Sequence, residues 1–387
     1  MTMITKNNIF KRYLKEYLKA TKQRQGEILD HVCDVTRMHR KAAIRKFKKV
    51  QMRHASWSDK RGRPATYTPD VTTALKTIWE AGGEVCGELL HPVTNEYVDI
   101  LIRDKMWPHA TEATEKLRGM SEVTMKRRVG TFMKARKRRK GISATKPSHL
   151  KKIVPVFTGP WKNKPPGFGQ IDSVRHSSSA SGNAVQTINY TDAAVYLTIP
   201  RAQFNLGQKA TQESLKYIQE TMPFPWLGAH PDSGKEFLNW LIKKWCDDQA
   251  IELSRSRANH KNDNMYVEER NGHVVRKHVG YITLDCPQAV TALNKLYDAL
   301  TPYLLHFVAV RRMTGKQKVL SKYQRQYEKK AKTPYTRILE HPEVAEEIKE
   351  KLRQRHAHLN PLILKQEIEQ RIQKVYATQR RYGNLSR

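Results

Sequence analysis

The sequence predicts a multidomain protein of the α plus α/β class. Helix-turn-helix units come first, a mixed-sheet core flanked by helices follows, and a small basic β/α region closes the chain. Three observations predict this. The chain has 387 residues, enough for two to three domains at roughly 150 residues each. Apolar residues recur at helical spacing in the first third, then give way after Pro165-Pro166-Gly167 to β-branched and aromatic runs. A hydrophobic content of 39% supplies real cores despite a net charge of +34.

That charge surplus on a folded chain implies a polyanionic partner, with nucleic acid as the default. It excludes an ordinary metabolic enzyme with a neutral surface. No apolar run approaches the ~18 residues of a membrane span, and no apolar segment opens the chain, so no membrane partner is expected and the location reads as cytoplasmic. Cys33, Cys86, Cys246 and Cys286 form no C-x-x-C pair. They read as core thiols in a reducing compartment, with neither a disulfide framework nor a cysteine zinc site.

Residues 9–57 read as the first helix-turn-helix domain. Phe10, Tyr13, Leu14, Tyr17 and Leu18 recur at helical spacing, Ile28, Leu29, Val32 and Cys33 form a second face, and Asp34-Val35-Thr36 breaks the pattern. The basic helix that follows carries Arg37, His39, Arg40, Lys41 and Arg45, candidates for DNA contact in a major groove. Residues 58–69 read as a basic linker, in which Arg61 and Arg63 suit either a narrow minor groove or a solvated hinge. Residues 70–133 read as a second helical, DNA-binding domain. Ser121 can cap its last helix with Thr124 where Glu is commoner, and Lys126, Arg127 and Arg128 project from it. Residues 134–160 form a second basic linker, where Arg136, Arg138 and Arg139 suit phosphate tracking.

The core reads as residues 161–307 in the order βββαβαβα. Its strands are Gly169–Val174, two within Ala184–Pro200, Trp226–His230 and Ile251–Ser254, and its helices are Gln208–Met222, Glu236–Gln249 and Asn262–Tyr281. Another helix, 286–307, closes the core. Residues 308–340 are basic and β-prone, either a binding module or an extended linker. Residues 341–387 read as charged helices broken at Asn360-Pro361, their modest apolar stripe suited to subunit contact.

Three acids stand out. Asp172 lies within the first strand, Asp232 just past the fourth, and Glu268 on the helix after the fifth, with 35 residues between the last two. Carboxylates are hard oxygen ligands for Mg²⁺ or Mn²⁺. Two such metals about 3.5–4 Å apart can promote phosphoryl transfer. Asp192 reads as a turn former and His230 as a packing histidine.

Gly169-Gln170-Ile171-Asp172, His230-Pro231-Asp232-Ser233-Gly234-Lys235-Glu236-Phe237 and Asn262-Asp263-Asn264-Met265-Tyr266-Val267-Glu268 resemble core motifs of retroviral-type integrases and bacterial insertion-sequence transposases. The resemblance covers about residues 165–305. It implies a ribonuclease-H-like core and a D, D-35-E triad of Asp172, Asp232 and Glu268, both catalytic and metal-holding. It implies two Mg²⁺ ions per active site, which Mn²⁺ can replace. The implied reaction is hydrolysis at the 3′ ends of a mobile element, then attack of each 3′-hydroxyl on target DNA. The implied partners are double-stranded DNA, at element ends and target, and further copies of the chain, at least a dimer, on the bacterial nucleoid.

The sequence departs from that pattern at Ser233, where the family often has Asn, and it lacks the His-His-Cys-Cys module of retroviral integrases. Glu269 is an alternative third acid, though it points about 100° away on a helix. Asn264 and Arg276 share the helical face of Glu268 and can meet DNA phosphate beside the acids, with a surface salt bridge as the other reading of Arg276. Two other functions compete: a DNA-binding regulator with an inactive core, and a nuclease without strand transfer. The three intact acids speak against the first, and the paired helix-turn-helix units against the second.

Overall fold

A computed structural model describes residues 3–51, 66–134, 154–157, 161, 164–177, 182–232, 234–257, 265–319 and 322–383. The chain forms two compact units, Met1–Ala65 and Thr66–Arg387.

The first unit is helical: α1 (Met3–Lys19), α2 (Lys22–Thr36) and α3 (Arg40–Gln51). Thr21 caps α2 by accepting from the Arg24 amide at 3.5 Å. Phe10, Ile28, Leu29, Val32, Ala43 and Phe47 form its core. Tyr17 stacks on Phe47 at 4.2 Å, and Phe10 meets the same ring edge-on at 4.9 Å. Helix α2 runs through Thr36, so the break expected at 34–36 falls later. The Thr36 hydroxyl donates to the Val32 carbonyl at 2.6 Å, which keeps the last turn helical. The turn comes at Arg37, in the left-handed region with φ 50°, its amide returning to the Cys33 carbonyl.

The second unit begins with α4 (Pro69–Ala81), α5 (Gly87–Leu90), a 3₁₀ turn (His91–Val93), α6 (Thr94–Arg103), α7 (Thr111–Arg118) and α8 (Glu122–Lys134). A five-stranded mixed sheet follows: β1 (Phe168–Arg175), β2 (Val185–Asp192), β3 (Thr198–Phe204), β4 (Gly228–Pro231) and β5 (Glu252–Leu253), in the order β3-β2-β1-β4-β5. β1, β2 and β3 pair antiparallel, whereas β4 pairs parallel with both β1 and β5.

Helices α9 (Gln208–Thr221) and α10 (Trp240–Asp248) accompany the sheet. One continuous helical stretch then runs through α11 (Met265–Arg270), a π-helical segment (Asn271–Arg276) and α12 (Lys277–Val279). After α13 (Pro287–Phe307) come a hairpin of β6 (Met313–Val319) and β7 (Lys322–Tyr327), then α14 (Pro334–Glu340), α15 (Glu346–Ala357) and α16 (Pro361–Tyr382). None of the described helices is long and apolar enough to cross a membrane.

Every residue of β2 is buried, because both faces of the sheet are covered. Ile171, Ile188 and Tyr190 pack with Leu215, Ile218, Ile242 and Trp245 on one side. Val174, Val185 and Ala202 pack with Leu293, Leu296 and Leu300 of α13 on the other. That second cluster continues without a break into Leu75, Ile78, Tyr97 and Leu101 of the preceding helices. Two buried hydroxyls tie the parts together: Tyr97 donates to the Phe307 carbonyl and Tyr303 to the Ala81 carbonyl, each at 2.8 Å. Residues 70–133 and the sheet therefore share one core.

The apolar stripe of the last helix, expected to contact another subunit, is used within the chain. Leu364, Ile368 and Val375 of α16 are buried in the α13 cluster. A stripe reveals that a helix buries a face but not which surface covers it.

Ile368→Ala removes a fully buried side chain. It is expected to cost about 2–4 kcal/mol in urea unfolding. The oligomeric state by light scattering should stay the same; a change of oligomeric state without loss of stability would contradict the internal docking.

Candidate active site

The parallel register pairs Gln170 with His230 and Ile171 with Pro231. The next step along each strand is Asp172, midway along β1, and Asp232, just past the end of β4, so the two residues stand at neighbouring positions on one face of the sheet. Asp172 Oδ1 accepts from the Ser173 amide at 2.8 Å, and Oδ2 accepts from the Asn271 side chain at 2.6 Å. Burial, then the charge of Asp232, and further the charge of Glu268 push the Asp172 carboxyl up to about 8, against the pull of those two hydrogen bonds.

Asp232 opens a tight loop in which its Oδ1 accepts from the Gly234 amide at 2.8 Å. A Cβ on Gly234 would lie 2.6 Å from Glu236 Oε2 and 2.8 Å from Asp232 Oδ1. A side chain there would press on the ends of both carboxylates and force them to shift. Glu236 is buried and accepts from the Ser173 hydroxyl at 3.1 Å. Burial raises its carboxyl, and the Asp232 charge adds to the rise. The sequence shows this fourth acid inside the His230–Phe237 motif and at the start of an expected helix, and gives it no catalytic role.

Glu268 is exposed on α11. Its helix is fixed from below by Gln170, a fully buried β1 residue on the same face as Asp172. Gln170 Oε1 accepts from the amides of Tyr266 at 2.9 Å and Val267 at 3.3 Å, donors that a helix start leaves without partners. Glu268 and Glu269 separate electrostatically. The charge of Glu268 bears on Asp172, whereas that of Glu269 bears on Tyr196 and Arg270.

Asn271, three residues after Glu268 and the first residue of the π-helical segment, faces the strands. Asn271 donates to Asp172, and its own Oδ1 accepts from Asn189 at 2.8 Å. Asn189 is the β2 partner of Asp172. The sequence gives Asn271 no role, because a neutral amide on a helix carries no chemical signature until its partners are known.

Asp172, Asp232 and Glu268 are hard oxygen donors able to take a divalent cation. Among the described residues no group of three or more His, Cys, Asp or Glu is gathered closely enough to hold a metal ion. Asp172 lies midway along β1, Asp232 just past β4, and Glu268 on the exposed side of α11.

The expected DNA contacts divide. Arg37, His39, Arg40, Lys41 and Arg45 are all exposed on the first unit. Arg40 pairs with Asp30, His39 Nδ1 accepts from the Lys41 amide at 3.3 Å, and Arg45 donates to the Lys41 carbonyl at 3.3 Å. On α8, Lys126 pairs with Glu88. Arg128 turns inward, donating to Thr72 Oγ1 at 2.8 Å and the Tyr67 carbonyl at 3.1 Å, while Arg127 is exposed.

Arg276 donates to the Arg175 carbonyl at 2.8 Å and lies over the Tyr281 ring. It is therefore neither the surface salt bridge nor the free cation on the Glu268 face that regular helical spacing predicts, because the π segment breaks that spacing. Arg61, Arg63, Arg136, Arg138, Arg139 and Asn264 lie outside the described residues, as does Ser233. Asp192 is a buried turn anchor, accepting from the amides of Gly167, Ala194 and Val195. His230 is buried beside Trp161, with Nδ1 2.9 Å from Ser254 Oγ.

The fold raises the Asp172 carboxyl from 3.8 to about 8. The folded chain therefore holds a proton that the unfolded chain releases, and stability from this group is lost as pH rises between those values. In chelator, Asp172→Asn is expected to melt above the unsubstituted chain at pH 8, the gap closing toward pH 4. A gap independent of pH would contradict the raising of this carboxyl by burial and by its neighbour Asp232. Gln170→Leu removes the acceptor for the α11 amides, and a loss of amide-exchange protection at Tyr266 and Val267 is the expected result.

No family model matches the chain. A solved chain of the simian T-cell lymphotropic virus intasome in complex with the PP2A regulatory subunit B56 gamma is similar over 45% of this chain and 57% of that one. The identity is 12% and the TM-score 0.26, so this chain spans a little over half of that one and the likeness carries no weight. The uncharacterized protein y4rM of Sinorhizobium fredii is 32% identical over 311 residues, covering 78% of this chain and 86% of that protein. On that identity, over most of both proteins, the chain belongs to the same family as y4rM.

Proposed function

We propose that the chain is a DNA transposase or integrase of the DDE type, with a ribonuclease-H-like core. The observation that carries this reading is the parallel register that sets Asp172, midway along β1, beside Asp232, just past β4, with Glu268 close enough for its charge to act on Asp172. The motif resemblance around these residues, the mixed sheet flanked by helices and the net charge of +34 support it.

Asp172, Asp232 and Glu268 would hold two Mg²⁺ ions, with Mn²⁺ able to substitute. The chemistry such ions supply when bound is activation of an attacking oxygen and stabilisation of a leaving one. The carboxylates fit the role as oxygen donors whose mutual repulsion a cation relieves. Asn271 holds one oxygen of Asp172, and Gln170 fixes the start of the helix that carries Glu268. In the first step water adds to the phosphorus at an element end and the P–O bond breaks to leave a 3′-hydroxyl. In the second that hydroxyl attacks target DNA, its proton is lost, and the target strand's 3′ oxygen leaves.

Beside Glu268, Gly272 is exposed with open space where a side chain would stand, which leaves room for a duplex. The exposed cations of α3 suit phosphate contact. A cytoplasmic location on the bacterial nucleoid, and a complex of at least two copies on DNA, follow from this reading.

The test uses the purified chain with Mg²⁺ and a labelled duplex carrying the DNA that borders its own coding sequence. Nicked ends and joined products are expected, and Asp232→Asn should abolish both while leaving duplex binding intact. Binding without cleavage in either Mg²⁺ or Mn²⁺ would overturn the catalytic reading. Gln170→Leu should slow the reaction about 10–100-fold, the size of a typical outer-shell effect, and Glu269→Gln should change it little.

A further inference from the structure

Helix α8 carries two features that its own packing does not explain. Val123 is 78% exposed, an apolar side chain standing in water on the first turn. Gly130 sits in the helix interior with nothing within 4 Å of where its Cβ would be. An interior glycine weakens a helix relative to alanine, and nothing in the fold requires one there. Val123, Arg127, Gly130 and Thr131 follow one another at spacings of four, three and one, so they share a face opposite the buried Met125 and Val129.

The surroundings define what suits that face. Helix α7, the three-residue turn Gly119-Met120-Ser121 and α8 make a helix-turn-helix, with Ala113, Leu117, Met120, Met125 and Val129 in its core. Ser121 Oγ accepts from the Thr124 amide at 3.4 Å and fixes where α8 starts. Lys126 and Arg128 are engaged by Glu88, Thr72 and Tyr67. Arg127 is the remaining cation of the three and stands one turn beyond Val123.

Resting on the DNA reading above, we propose that this face of α8 enters a major groove and reads bases. Val123 would pack on a thymine methyl and Arg127 would take the N7 and O6 edge of a guanine, both groups that the major groove alone displays in this form. Gly130 lets the duplex approach the helix backbone more closely than any side chain would allow. The face therefore determines sequence, while Lys126 and Arg128, the flanking cations, hold the helix in place.

The full chain is tested by selection from a randomised duplex library, with melting measured in parallel. The unsubstituted chain is expected to enrich a motif. Val123→Ser should lose a thymine and Arg127→Ala a guanine within one short block of that motif, each at unchanged melting temperature. Gly130→Ala should melt higher yet bind the enriched duplex about tenfold more weakly, within the range of one lost base contact. A merely structural glycine would give the higher melting temperature alone. If all three variants enrich the same motif and bind it like the unsubstituted chain, the face is solvent surface and this inference falls while DNA binding stands. If the unsubstituted chain binds no duplex at all, the proposed function falls first, and this inference with it.

Discussion

Pairing β1 with β4 in parallel forces two like charges together, because each strand ends its pairing one residue before an aspartate. Neighbouring parallel strands stand about 4.8 Å apart, and two carboxylates at that spacing in partial burial repel. The surroundings answer that repulsion. An amide and the Asn271 side chain hold Asp172, the Gly234 amide holds Asp232, and the Ser173 hydroxyl meets Glu236. Even so, Asp172 stays raised to about 8. The fold thus keeps a proton on Asp172 that a bound cation would displace.

Anchoring that arrangement falls to residues carrying no charge of their own. Gln170 reaches from the strand to the first amides of α11, and Asn189 reaches through Asn271 to Asp172. Strand and helix are thus joined by side-chain amides, which hold direction better than ion pairs between flexible side chains do. The second link leaves the helix at Asn271, where the π-helical segment begins.

Much of this is legible in the sequence, for reasons particular residues make plain. Asp172 stands within one strand-like run and Asp232 just past another, where an acid is conspicuous. Ser121 announces the start of α8, and Asn360-Pro361 the start of α16, where Asn360 accepts from the Leu362 and Ile363 amides. Gln170, Asn271 and Glu236 are not legible, because their roles depend on partners far along the chain. Arg128 and Arg276 fail for the opposite reason. Basic residues on a predicted helix read as surface cations, and only packing reveals that a neighbouring carbonyl takes them. Helical spacing likewise foretells the stripe of α16 but not that α13 covers it.

Helix α13 lies between the sheet and the helices of residues 69–134, and both bury side chains against it. Such a region cannot be exchanged between relatives as a cassette, as domains joined by a flexible tether can. Grafting a foreign helical region in its place would expose the flank of α13, leave the Phe307 carbonyl without its donor Tyr97, and leave the Tyr303 hydroxyl without its acceptor at Ala81. Change in this part of the family must therefore come by single substitutions on the outer helical faces. The first unit, outside that shared core, is where a whole module could be traded.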